Sequence, residues 1–308
     1  MGYYILDLNK GMGELFGLIS ALSFGISNVY WKNAARDTDY SFLVLFRGLI
    51  AVGIFGLFWL LILFYRIEIT EIINRNARPI DYLNAFLLCC CCSFGLFFFL
   101  KSLKYAPVSI TIALSSVNVF GILTTVFIVG EPFSFTYLFS FSFAILGIVL
   151  TQKLKWRDSR PVWNKGDAYA LLASLFWGVT YPLFKIVSPS IGALPLSFIM
   201  ESCVSFMAFF WVILSPKNTL QKSDSLPLFG NIQLRHYAVL AVLLIGGTLF
   251  FNLAIQNISV LKLNLVGNFQ YIVSIFLAIA FYKESLTIQQ IIGILLIFLS
   301  IAAAQYFF

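Results

Sequence analysis

Ten long stretches of this chain are almost free of polar residues, and polar joints separate them. Within each stretch the apolar run is continuous rather than alternating. That pattern predicts helices dissolved in lipid and excludes a transmembrane β-barrel. The expected spans are 12–31, 42–65, 81–101, 107–129 and 133–152, then 166–187, 193–214, 237–256, 259–281 and 286–306. Each is close to the roughly 20 residues that a 30 Å hydrocarbon core requires. The joints are short apart from 66–80, 153–165 and 215–236.

The pattern repeats after a shift of about 153 residues. Gly13 falls on Gly166, Gly25 on Gly178, Lys32 on Lys185 and Glu131 on Glu284. Phe97, Phe98 and Leu100 fall on Phe250, Phe251 and Leu253. Five spans per copy is an odd number, so the second copy enters the membrane reversed. The predicted fold is therefore an all-α polytopic membrane protein, with ten transmembrane helices in two inverted five-helix repeats. The first repeat covers 1–152, a basic linker 153–165, and the second repeat 166–308. Inverted repeats are a transporter architecture, with the binding site where the halves meet. The first span has a counterpart in the second copy, so it is read as part of the fold rather than a cleaved signal.

Composition supports this reading. Hydrophobic residues make up 60% of the chain and charged residues 11%, against about 25% charged in soluble domains. The mean hydropathy is +0.93. The net charge of +7 sits largely in joints, where it marks topology and lipid-headgroup contact rather than nucleic acid. Lys153, Lys155, Arg157, Arg160 and Lys165 form the densest basic cluster, which would place the linker in the cytoplasm and both termini outside. Cys89, Cys90, Cys91 and Cys92 are consecutive on one helix and point about 100° apart, so they read as small apolar residues and not as a metal site. Cys203 lies in another span, and His236, the single histidine, in a polar joint. No cofactor is implied. No catalytic cluster lies at membrane depth, so the chain is not expected to be an enzyme.

The polar residues inside spans are the candidate chemistry. Thr111, Ser115 and Asn118 follow one another at i, i+4 and i+7, on one face of the fourth span. Asn264, Asn268 and Tyr271 take the equivalent positions in the ninth. Two symmetry-related polar stripes at lipid depth face a wet cavity or bind neighbouring helices by hydrogen bonds. The first and sixth spans add Ser27 and Asn28, with Trp177, Thr180 and Tyr181. Pro182 cannot donate to the carbonyl one turn earlier, which either opens a polar group for a site or merely aids packing.

Arg47 and Glu201 are the charges within spans. At such depth each needs a partner or water. Counted from opposite membrane faces, they stand roughly 10 Å apart in height, which argues against a direct ion pair. Arg47 would then meet a substrate anion or snorkel to headgroups. Glu201 is the candidate proton-coupling group, with a hydrogen-bonded structural carboxylate as the alternative. Glu131 and Glu284 begin the fifth and tenth spans, where an acid balances the helix dipole. Lys101, Lys104 and Lys262 lie at span ends as interfacial anchors.

The order of these landmarks resembles the EamA-type repeat of the drug/metabolite transporter superfamily. The carrying residues are Ser102-Leu103-Lys104-Tyr105-Ala106-Pro107, then Gly130-Glu131 and Gly147, with Glu284 and Gly293 in the second copy. Val260 stands where the first copy has Pro107. Leu22 and Leu175 occupy the positions where small multidrug members carry a membrane carboxylate, so that branch's drug site is absent. The resemblance implies a central cavity walled by spans 1–4 and 6–9, with spans 5 and 10 outside. It implies a secondary transporter of small polar metabolites working by alternating access. The leading expectation is an amino-acid or related metabolite exporter, with nucleotide-sugars, vitamins or other organic anions as the alternative. Such a carrier would sit in a bacterial inner membrane, contact lipid, and work as a single chain because both halves are present.

Overall fold

The computed structural model describes residues 2–34, 38–65, 71–105, 111, 115, 119–132, 135–151, 165–214, 230–282 and 288–306. Among these, every regular element is helical. The first repeat holds α1 (Gly2–Ala34), α2 (Tyr40–Phe64), α3 (Pro79–Tyr105), α4 (Val119–Thr124) and α5 (Phe135–Thr151). A wider π-helical turn, Thr125–Val129, continues α4. The second repeat holds α6 (Lys165–Ile191), α7 (Ala193–Leu214), α8 (Asn231–Asn257), α9 (Val260–Gly267), α10 (Phe269–Tyr282) and α11 (Ile288–Tyr306). Helices thus fall on all ten expected spans, and α1, α2, α3, α6, α7 and α8 are each long and apolar enough to cross a membrane.

Two differences from the sequence reading concern helix extent. The polar run Asn231–His236 is the start of α8, not a joint, because a helix continues past the lipid boundary while its backbone bonds persist. His236 is therefore helical and buried, and its Nδ1 lies 2.9 Å from the Tyr30 hydroxyl on α1. The ninth span, expected as one helix, is broken at Asn268 into α9 and α10.

Local chemistry sets the helix ends. Asp39 caps α2 by accepting from the Ser41 backbone N–H at 2.8 Å. Pro79 opens α3, where its missing N–H has no partner to lose. Between α6 and α7 the chain turns on Gly192, at φ 94°. A Cβ there would lie 2.5 Å from the Ile72 carbonyl oxygen. The 71–74 segment is thus a strap, not a free loop. Ala193 N–H donates to Glu71 O at 3.0 Å, Leu194 N–H to Ile72 O at 3.1 Å, and Asn74 N–H to Ile191 O at 3.1 Å. The strap satisfies groups that the end of α6 and the start of α7 leave unpaired.

The packing pattern carries the duplication into three dimensions. α1 packs on α8, and its counterpart α6 packs on α3; α2 packs on α7, and α5 on α11. Each pairing survives exchange of the repeats. α2 and α7 are equivalent helices, and they run antiparallel: Gly48 abuts Ser205 while Gly56 abuts Phe198. A two-fold axis relating antiparallel equivalents must cross the helices, so it lies in the membrane plane. The repeats are inverted.

Large apolar side chains cover the outside, among them Leu57, Phe58, Leu60 and Phe64 of α2 and Phe206, Phe209, Ile213 and Leu214 of α7. In water such a surface would aggregate; in lipid it is solvated. Polar and charged residues gather instead between the helices. With ten helical spans and this exterior, the chain is an integral membrane protein.

Candidate functional site

A cavity of about 250 Å³ lies between the two repeats. Of the residues expected at a site, Ser27, Asn28, Arg47, Ser115, Trp177, Tyr181, Glu201, Asn264 and Asn268 line it. Thr111 and Thr180 stand elsewhere. Thr111 is buried and shares a hydrogen bond with Ser102 at 2.7 Å, and Thr180 donates to the Phe176 carbonyl at 2.7 Å. These two act as interhelical and intrahelical ties. Asn118 lies outside the described residues, as does the side chain of Tyr271. Cys92, alone of the four consecutive cysteines, also reaches the wall.

Sequence reading named Trp177 and Tyr181 on the aromatic side of the wall but missed Phe24, Trp31, Phe99 and Phe251. Phe24 presses on Gly247, and Trp177 presses on Gly95, where an added Cβ would lie 2.7 Å and 2.4 Å from the respective rings. Phe24 and Trp177 are repeat equivalents, so the duplication itself carried the signal once Trp177 was singled out. Trp177 stacks on Tyr181 with centroids 6.0 Å apart, and Tyr181 meets Phe251 at 5.2 Å. The fifth span also departs from expectation: Phe141, Ala144 and Ile145 of α5 reach the cavity. Phe141 packs with Leu261 and Leu265 of α9, which draws one face of α5 inward.

The charged centre is Arg47 with Glu201. Arg47 Nη1 donates to Glu201 Oε2, with the two side chains 2% and 4% exposed. The expectation of no direct pair is overturned. The α2–α7 register explains why: Gly48 against Ser205 and Gly56 against Phe198 leave the two backbones offset by only about five residues, roughly 7 Å. A guanidinium arm spans that gap, whereas counting from helix starts ignored both register and side-chain length. The Arg47 guanidinium carbon lies 6.0 Å from the centre of the Trp31 ring, and Thr248 donates to Glu201 Oε1 at 3.4 Å. In a buried pair of this kind each partner offsets part of the other's desolvation.

Backbone irregularity lies in the same wall. Gly267 and Asn268, at the α9–α10 break, line the cavity, and a Cβ on Gly267 would meet nothing within 4 Å. Pro182 offers no N–H to the carbonyl of Gly178, which also lines the cavity. Interrupted helices beside a central cavity present backbone polar groups to a solute.

Beyond the cavity, the remaining charges serve architecture. Glu131 caps α9 across the repeat boundary. Its Oε1 accepts from Val260 N–H at 2.7 Å and its Oε2 from Leu261 N–H at 3.3 Å. Lys262 pairs with Glu14, and Lys185 Nζ donates to the carbonyls of Gln256 and Ile258 at 3.3 Å and 2.8 Å. Lys101 Nζ lies 4.4 Å from the Phe97 ring centre, and Lys104 is exposed. Glu284 and the linker residues 153–164 lie outside the described residues. Among the described residues, no three His, Cys, Asp or Glu side chains converge as a metal site.

Comparison with known proteins agrees with this architecture. A solved structure described as "Crystal structure of protein" superposes with a TM-score of 0.72 over 96% of each chain, at 16% identity, a likeness of fold. No curated protein sequence matches the chain. The EamA-like transporter family profile matches twice, over residues 11–152 and 164–304, the two repeats seen in the packing. The chain belongs to the EamA-like transporter family, as a membrane transporter of the drug/metabolite superfamily.

Proposed function

We propose that this protein exports an amino acid or a related small polar metabolite across a bacterial inner membrane by alternating access. The carrying observation is the cavity between the repeats: about 250 Å³, with a wall that combines one ion pair, several amides and hydroxyls, and an aromatic side. That volume lies below the roughly 300–1,000 Å³ that holds drug-sized ligands, which favours an amino acid over a nucleotide-sugar. Arg47 and Glu201 are the charged residues among those lining it, so the wall is neutral overall. A neutral wall suits a zwitterion better than a polyanion. Inverted repeats supply the motion: rocking at the α1–α8 and α3–α6 contacts exposes a fixed site to one side and then the other.

Counterflow in proteoliposomes tests this reading. Vesicles preloaded with unlabelled amino acids should accumulate a labelled one, and Asn268→Ala or Tyr181→Ala should reduce the rate at least tenfold. Exchange of a nucleotide-sugar or vitamin, with no amino-acid flux, would overturn the substrate assignment.

A further inference from the structure

Among the described residues, two donors on the cavity wall lack a partner. Arg47 Nε and Asn264 Nδ2 are buried, and neither has a hydrogen-bond partner among the described residues. Both residues line the cavity. A buried donor without an acceptor is costly, and a ligand acceptor placed there removes the cost. The guanidinium is therefore only partly used by Glu201. Its planar edge matches a carboxylate, which can accept two parallel bonds from it. Glu201 in turn is held weakly on its second oxygen, where Thr248 donates from 3.4 Å.

We propose that Arg47 and Glu201 form a proton-linked carboxylate site, in which the solute's carboxylate takes the guanidinium when a proton occupies Glu201. This rests on the carrier reading above and adds the recognised group and the coupled ion. In the empty site the guanidinium and the Glu201 carboxylate cancel. When a proton from water bonds to a Glu201 oxygen, the ion pair opens. The solute carboxylate then replaces Glu201 on Arg47, and the charges cancel again. In both states the guanidinium faces one carboxylate, which a low-dielectric site demands. One proton enters with each carboxylate.

Glu201 is the carboxylate among the residues that line the cavity. Arg47 faces it from α2, Thr248 from α8, and the thiols Cys89 and Cys92 from α3. Tyr181 of α6 stands on the same wall, and the α1 lining residues, from Gly17 to Trp31, carry no titratable group.

The test uses the purified full chain in detergent, with the twenty standard L-amino acids, benzoate and inorganic phosphate as probes. At least one acid should bind, and its carboxamide should bind at least 100-fold more weakly. Once Glu201 is ionised, wild-type affinity for that acid should fall about tenfold per pH unit, because the bound state holds one more proton. A pH-indicator dye should record close to one proton taken up per acid bound. Glu201→Gln should bind the same acid with no pH dependence and no proton uptake. If that variant does not fold, the wild-type pH series and proton count decide. The inference is overturned if no acid binds, if the carboxamide binds equally well, if phosphate is preferred, or if wild-type binding is flat with pH. Counterflow persisting under any of those results removes this inference and keeps the carrier reading; absence of flux for every solute removes both.

Discussion

Removing the Glu131 carboxylate should loosen the start of α9 by a calculable amount. A helix leaves its first N–H groups unpaired, and here each one is accounted for. Glu131 takes those of Val260 and Leu261, the Ser259 hydroxyl takes that of Lys262 at 3.2 Å, and Leu263 bonds back to the Ser259 carbonyl at 2.9 Å. Hydrogen bonds to a charged group contribute about 1.5–3 kcal/mol each. The site is part-buried, so water compensates in part and the lower bound applies; two bonds then amount to about 3 kcal/mol. Glu131→Ala loses both. Glu131→Gln keeps one acceptor and turns a donor toward the second N–H, so it should lose at least half. Ser259→Ala should cost about 1 kcal/mol, as N-cap removals do. Thermal unfolding of the purified protein should thus rank wild type, then Ser259→Ala, then Glu131→Gln, then Glu131→Ala. Asn264 lies one turn into α9, so counterflow should fall in the same order. A Glu131→Ala protein that melts with wild type would refute the capping argument. Equal losses for Gln and Ala would show that charge, felt by nearby Lys185, outweighs acceptor geometry.

Further substitutions test other contacts. Arg47→Ala strands a buried carboxylate and should cost about 3–5 kcal/mol, whereas Arg47→Gln with Glu201→Gln should recover most of it; simple additivity in a melting series would count against the pair. Gly95→Ala places a methyl 2.4 Å from the Trp177 ring, so it should cost about 1–3 kcal/mol and impair transport, while Gly53→Ala, with open space around it, should do neither. Gly192→Ala meets both a left-handed backbone and the Ile72 carbonyl, whereas Gly130→Ala, at φ 78°, meets only the first. Melting should therefore fall further for Gly192→Ala, and equal losses would mean that the strap yields.

Much of this protein was legible in consecutive residues. Span length follows from bilayer thickness, and the shift of about 153 residues follows from duplication; both are written along the chain. An odd number of spans per copy then dictates inversion, which the antiparallel contact of α2 with α7 bears out. The polar faces of the fourth and ninth spans were legible from helical periodicity, and Ser115, Asn264 and Asn268 do line the cavity. Periodicity alone did not separate them from Thr111, which ties to Ser102 on the neighbouring helix, because a face is wide enough to hold both roles.

What only the tertiary structure decided is register. Arg47 reaches Glu201 because Gly48 and Gly56 let α2 settle closely against α7 at one particular offset. Glu131 caps α9 because the joint between α4 and α5 meets the joint between α8 and α9. Phe24 and Trp177 wall the cavity because Gly247 and Gly95 leave room for their rings. Hydropathy and periodicity describe what one helix does toward its solvent, so the sequence determines the spans and their sidedness. Pairing depends on small residues meeting across helices far apart in the chain, and a single sequence holds no record of that until the helices are packed.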